Sequence, residues 1–200
     1  MDGWPTEPNK QRNRPGRLNT RIDCLQINLR HSKIATNNLQ KIIDEEGMDI
    51  VCIQEPYTIE SKVMGLPRSY AVFASGTGRK RAAIIIKNKL IDTILLNQLS
   101  DEDVVVVVVV EIRVERVTLI IVSMYFDINR PIAIDLQKIQ TSLTHAKGVG
   151  IIFEIDSNAR STSWHGFLTN NRGKKLEEFI ISKQLHIANQ ESNVPDRKRR

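Results

Sequence analysis

An α/β fold is predicted by three features of this sequence. Apolar strand-like runs alternate with amphipathic helical segments; a strand–helix–strand unit occurs twice, at 21–55 and again at 117–156; and 200 residues with 40% hydrophobic content suffice for one domain with a sizeable core but not for two comparable ones. No stretch reaches the roughly 18 apolar residues of a membrane span. The first twenty residues lack the apolar segment of a secretory signal. A nuclear or cytoplasmic protein is therefore expected, not secreted and with no membrane partner. Cys24 and Cys52 sit in strand-like runs without CxxC spacing, and read as small buried apolar residues rather than a disulfide or zinc pair.

Residues 1–20, with three prolines, two glycines and scattered basic groups, are expected to form a disordered basic arm. RIDCLQIN (21–28) is the first strand. Ser32 caps a helix whose Ala35, Leu39, Ile42, Ile43 and Glu46 share a face, and Gly47 stops it. MDIVCIQ (48–54) is the next strand, ended by Glu55-Pro56. YAVFA (70–74), AAIIIK (82–87) and DTILLN (92–97) follow as strands, with GTG at 76–78 as a turn. VVVVVVV (104–110) is too short for a bilayer, and its β-branching makes it a strand. It pairs with VTLIIVSMY (117–125) as a buried hairpin around Val114-Glu115-Arg116. Pro131 leads a helix with Ile132, Leu136, Ile139 and Leu143 at helical spacing and Gly148 as its stop. The strand 149–155, a helix at 172–185 and a last strand at HIAN (186–189) complete the layout.

A strand–helix–strand crossover makes its two strands parallel, so both C-terminal ends lie on one edge of the sheet. The four strands of the two units end at Asn28, Glu55, Tyr125 and Asp156. Packed face to face in matching direction, the units would bring these side chains, with Asn158, to one mouth, where open α/β sheets place ligands. Two carboxylates, two carboxamides and a phenol suit oxygen ligation of a hard cation such as Mg²⁺, with Mn²⁺ as an alternative. The corresponding chemistry is phosphoester hydrolysis. In it Asp156 orients or deprotonates water, and Asn158 and Tyr125 hydrogen-bond phosphate oxygens. Each signal has a plainer reading: Glu55-Pro56 as solvated punctuation, Asn28 as a turn cap, Tyr125 as a core aromatic. His31, His145, His165 and His186 are scattered, with no metal-ligand spacing.

The net charge of +6 points to nucleic acid, but residues 1–20 carry +2 and DRKRR at 196–200 carries +3, so the body is nearly neutral. DNA binding by the body needs a local patch. Arg79, Lys80 and Arg81 before an apolar strand, with Arg160 and Trp164 in the loop after Asp156, are the candidates. A solvated strand entrance is the competing reading for the first three, and core packing for Trp164.

In this order and spacing, QINLRHS (26–32), QEPY (54–57), SMYF (123–126), IDSNARSTSWHG (155–166) and NRGKKLEEFI (171–180) resemble the endonuclease domain of non-long-terminal-repeat retrotransposons. That family lies within the endonuclease/exonuclease/phosphatase superfamily, related to apurinic/apyrimidinic endonucleases. The resemblance covers about residues 21–195, taken as one domain. It implies a four-layer sandwich of two mixed β-sheets flanked by helices, and a domain that nicks one DNA strand so that the free three-prime hydroxyl primes reverse transcription. By the same resemblance Asn28 and Glu55 match the metal-side residues, Tyr125 the phosphate-contacting tyrosine, and Asp156 with Asn158 the aspartate–asparagine pair. The implied partners are DNA and the reverse-transcriptase domain of a parent polyprotein.

Family members continue past the stretch matching LHIANQESNVP into further strands and a Ser-Asp-His motif, whereas this sequence passes from Pro195 to DRKRR. The last strands are expected to be missing, and none of the four histidines occupies a matching position. The chain as it stands is accordingly expected not to nick DNA. Two other readings stay open: a catalytically inactive remnant that folds or binds nucleic acid, and a small-molecule phosphoesterase of the same superfamily.

Overall fold

A computed structural model describes residues 21–112 and 118–189 of the chain. The arm at 1–20, the turn at 114–116, the end of the domain at 190–195 and the tail at 196–200 lie outside the described residues. In chain order the elements are β1 (Cys24–Asn28), α1 (Lys33–Glu45), β2 (Ile50–Gln54), the small hairpin β3 (Thr58–Ile59) and β4 (Lys62–Val63), β5 (Ala71–Phe73), β6 (Ala82–Ile86) and β7 (Ile91–Leu95). They continue with β8 (Val104–Ile112), β9 (Leu119–Tyr125), α2 (Ile132–His145), β10 (Gly150–Asp156) and α3 (Asn171–Ser182).

Two four-stranded sheets form, ordered β1-β2-β6-β5 and β10-β9-β8-β7. Each holds one parallel pair, β1 with β2 and β9 with β10, as the crossovers through α1 and α2 require. The remaining pairs in both sheets are antiparallel. In the parallel registers Asn28 lies opposite Gln54 and Asp156 opposite Tyr125. Both units therefore finish level, each at one edge of its own sheet.

Alternation along the strands decides the layers. Ile50, Cys52, Ala82, Ile84 and Ile86 of the first sheet meet Ile91, Val105, Val107 and Ile121 of the second in a buried core between the sheets. The opposite face of the first sheet, with Val51, Ile53, Ala83 and Ile85, packs on Leu39 and Ile43 of α1. The opposite face of the second, with Val104, Val106, Ile120, Val122 and Met124, packs on Ile132 and Ile139 of α2 and Leu176 of α3. This explains the valine run: Val104–Val107 has one face on a sheet and the other on helices, so every side chain is covered.

Local chemistry sets the boundaries. The Ser32 hydroxyl accepts from the Ala35 N–H at 3.2 Å and caps α1, and Gly47 leaves the helix at φ +69°. Thr36, Leu39 and Ile43 form the buried stripe, while Ile42 is 39% exposed, so the apolar face of α1 is narrower than expected. Cys52 is buried between the sheets, but Cys24 is exposed on an edge strand, against the expectation for both. HIAN at 186–189 is not a strand. The Leu185 N–H returns to the Ile180 carbonyl at 3.0 Å and Gln184 takes φ +53°, which turns the chain off the end of α3. Residues 186–189 then run beside β10 across an open cavity of about 530 Å³ instead of pairing with it.

Ile84→Ala should cost about 2–5 kcal/mol in urea denaturation, because its side chain is completely buried between the sheets. Ile94→Ala, at a position 56% exposed, should change stability by less than about 0.5 kcal/mol.

Candidate active site

The C-terminal ends of β1, β2, β9 and β10 meet. Asn28 Nδ2 donates to Asp156 Oδ2 at 2.5 Å, joining residues 128 apart in sequence and on different sheets. Asn28 Oδ1 accepts the Arg30 N–H at 2.8 Å, so both ends of the amide are fixed. Asn158 Nδ2 donates to the Phe126 carbonyl at 2.9 Å, which ties the loop after β10 to the end of β9. Tyr125 sits among these groups. Burial raises the pKa of its phenol and the charges of Glu55 and Asp156 add to this, while the Asn158 amide and the Arg81 guanidinium act in the opposite sense. The hydroxyl thus keeps its proton at neutral pH and is available as a donor.

Backbone conformation is unusual at this edge. Arg30, His31, Glu55 and Asn158 all have φ between +46° and +55°, and such left-handed residues other than glycine cluster where a site over-determines them. Glu55 is held in that state on both sides: its N–H donates to the Arg81 carbonyl at 2.8 Å, and its own carbonyl accepts the His31 N–H at 2.7 Å. Among the described residues the Glu55 carboxylate makes one contact, from Oε1 to His31 Nε2 at 3.5 Å.

Asn28, Glu55, Tyr125, Asp156 and Asn158 offer oxygen donors at the mouth, with the His31 ring nitrogen beside Glu55. Such donors suit a hard cation that takes one or two carboxylates and keeps several waters. Glu55, with the second lone pair of Asn28 Oδ1, has the chemistry to hold it.

The basic candidates separate. Arg79 and Arg160 are exposed. Lys80 is 7% exposed, and its ammonium donates to the Gly76 and Gly78 carbonyls at 2.5 and 3.1 Å, inside the loop expected as a turn. Arg81 is bidentate to the nearly buried Asp103, donates to Asp127 Oδ2 at 2.6 Å, and stacks on the Tyr125 ring at 5.3 Å from its centroid. Among the described residues RKR therefore presents one free cation rather than three, because carbonyls and carboxylates hold the other two. Trp164 packs in the core under α3 and donates from Nε1 to the Ala159 carbonyl at 3.1 Å. Arg30, exposed beside Asn28, and His31, which the sequence shows only as one of four scattered histidines, also lie at this edge. Nothing in the pattern NLRHS signals two successive left-handed residues.

Comparison with known proteins bears on this geometry. Residues 119–200 match the endonuclease-reverse transcriptase family. The endonuclease domain of TRAS1, a telomere-specific non-LTR retrotransposon, is similar with a TM-score of 0.76 at 33% identity, over 88% of this chain and 76% of that one. The chain belongs to the non-LTR retrotransposon endonucleases. An AP endonuclease, LMAP, from Leishmania major (TM-score 0.56, 12% identity, 79% of this chain and 65% of that one) shares the fold. So does an endonuclease/exonuclease/phosphatase family protein from Leptotrichia buccalis (TM-score 0.52, 15% identity, 82% and 73%). No curated protein matches the sequence. The four-layer sandwich implied by the resemblance is the observed fold, and the chain is an endonuclease-like domain of the endonuclease/exonuclease/phosphatase superfamily.

In this retrotransposon endonuclease domain the DSNARS, Trp and Arg-Gly signature serves architecture. Asn170 caps α3, accepting from Gly173 N at 2.8 Å and from Arg160 N at 3.2 Å. Its own N–H donates to the Arg160 carbonyl at 3.0 Å. Ser161 and Ser163 both bond to Glu177 of α3. Arg172 donates to the Arg130 carbonyl at 2.7 Å, pinning the loop after β9. Gly173 is required by contact: a Cβ there would lie 1.8 Å from the Arg160 carbonyl oxygen. The loop that carries Asp156 and Asn158 is thus clamped to the first turn of α3. Gly173→Ala should lower stability by about 1–3 kcal/mol or more in thermal or urea unfolding, because backbone rather than a flexible side chain must move.

Proposed function

We propose that this domain is a Mg²⁺-dependent endonuclease that nicks one strand of target DNA by phosphodiester hydrolysis, leaving a three-prime hydroxyl that primes reverse transcription. The observation that supports this reading is the 2.5 Å bond between Asn28 and Asp156, which brings the strand ends of the two sheets edge to edge. Glu55 and Asn28 hold the cation, with Mn²⁺ as an alternative to Mg²⁺. A cation held by these residues would supply Lewis-acid stabilisation of the charge that develops on the phosphodiester. Asp156, oriented through Asn28, orients or deprotonates the attacking water. The protonated Tyr125 hydroxyl and the second amide hydrogen of Asn158 donate to charged phosphate oxygens. Arg79 and Arg160, with Arg30, contact the DNA backbone. Lys80, Arg81 and Trp164 support the site through their bonds to protein groups. DNA is the substrate, and the reverse-transcriptase domain of a parent polyprotein is the partner that extends the nicked end.

A supercoiled-plasmid nicking assay with Mg²⁺ tests this on the 200-residue chain and on a version extended by a related C-terminal segment with the Ser-Asp-His motif. The extended version should nick. Asp156→Asn should reduce its rate at least about a hundredfold, the usual scale for a positioned base, and Glu55→Gln should weaken Mg²⁺ binding and lower the Mg²⁺-dependent rate while leaving the fold intact. Rates unaffected by either substitution, or no nicking by either chain, would contradict the proposal. Turnover of a soluble phosphomonoester without competition from DNA would favour the phosphoesterase reading instead.

A further inference from the structure

Between β1 and α1 the chain turns sharply. Arg30 and His31 take successive left-handed conformations, φ +49° and +55°, and the Ser32 N–H closes on the Leu29 carbonyl at 2.9 Å. The turn aims His31 at the end of β2. Its backbone N–H donates to the Glu55 carbonyl at 2.7 Å, its ring Nδ1 lies 2.9 Å from the Pro56 carbonyl oxygen, and its Nε2 faces Glu55 Oε1 at 3.5 Å. A carbonyl can only accept, so Nδ1 is the donor to Pro56 and the ring orientation is fixed; in the neutral ring Nε2 then carries a lone pair and does not donate to Glu55 Oε1, so the ring holds the chain through the Pro56 carbonyl.

We propose that His31 is a positioning residue for Glu55: by gripping the carbonyls of residues 55 and 56 through its backbone N–H and its ring together, it fixes the left-handed backbone from which the Glu55 side chain projects at the mouth. The inference rests on the reading of Glu55 as the cation's carboxylate. Glu55 takes φ +49°, a conformation that a non-glycine residue adopts at a cost, and both carbonyls that flank its exit from β2 are held by His31. A ligand whose backbone is already fixed loses less freedom when a cation arrives, so binding is tighter. A histidine that only shaped the turn would need its backbone and not its imidazole.

The test is Mn²⁺ titration of the 200-residue protein, followed by the electron paramagnetic resonance signal of free Mn²⁺. His31→Asn preserves the turn, since asparagine is among the residues that tolerate φ above zero, and His31→Gly does so without steric cost. His31→Asn should weaken Mn²⁺ binding about tenfold, the lower end for residues that orient a metal ligand. Glu55→Gln should weaken it further. The double variant should be no weaker than Glu55→Gln alone, because a group acting through Glu55 then has nothing to position. Additive losses in the double variant overturn the proposal. So does full affinity in both His31 variants when Glu55→Gln is impaired, and so does failure of both His31 variants to fold. Unchanged affinity in Glu55→Gln removes the reading of Glu55 as a cation ligand, and this inference with it.

Discussion

The mouth depends on a buried amide one layer beneath it. Gln54 is completely buried at the end of β2, and its Nε2 donates both to Ser123 Oγ and to the Glu154 carbonyl, each at 3.1 Å, on the facing sheet. Its Oε1 accepts from Gln26 Nε2 at 3.2 Å, and Ser123 Oγ donates back to the Ile53 carbonyl at 3.2 Å. Two apolar sheets in contact have many near-equivalent alignments, because hydrophobic burial has no direction. An amide with two donors and an acceptor satisfied on three strands has one. Gln26, Ser123 and Glu154 each stand two residues before Asn28, Tyr125 and Asp156, so the alignment fixed in this layer is carried directly to the layer above.

A second set of charges braces the same edge from outside. Asp103, 3% exposed, receives both Arg81 and Arg130, and its backbone carbonyl accepts the Tyr125 N–H at 2.8 Å. Arg130 continues to Asp135 of α2, and the backbone of Arg130 to Arg172 of α3. A carboxylate this deeply enclosed is tolerable only with charged partners, and removing one would leave the other uncompensated. The cations nearest the mouth are therefore divided between holding the protein together and facing solvent. Only the second group has charge available to a phosphate backbone.

Most of the architecture was legible because it follows from periodicity and punctuation. The two strand–helix–strand units, the Ser32 cap, the stops at Gly47 and Gly148 and the strand at 104–110 are where pattern places them, and the convergence of Asn28, Tyr125, Asp156 and Asn158 follows from parallel pairing. Pattern failed where burial depends on a partner distant in sequence. Ile42 is apolar at helical spacing but points past the sheet, HIAN reads as a strand but meets no ladder, and Cys24 lies on an edge that nothing described here covers. The roles of Lys80 and Arg81 were illegible for the same reason: their partners are loop carbonyls and two aspartates, Asp103 and Asp127, that look like ordinary loop residues in sequence. His31 reads as one of four scattered histidines because its approach to Glu55 depends on two left-handed residues that no composition rule announces.

If the Gln54 layer sets the alignment of the two sheets, the contact between Asn28 and Asp156 should exist only while that layer is intact. The direct measurement is a double-mutant cycle on urea unfolding with Asn28→Ala and Asp156→Ala, run in the natural sequence and again in the Gln54→Leu background. A coupling of about 1.5–3 kcal/mol, the range for a hydrogen bond to a charged group, is predicted with Gln54 present and close to zero without it. Equal coupling in the two backgrounds would contradict the account.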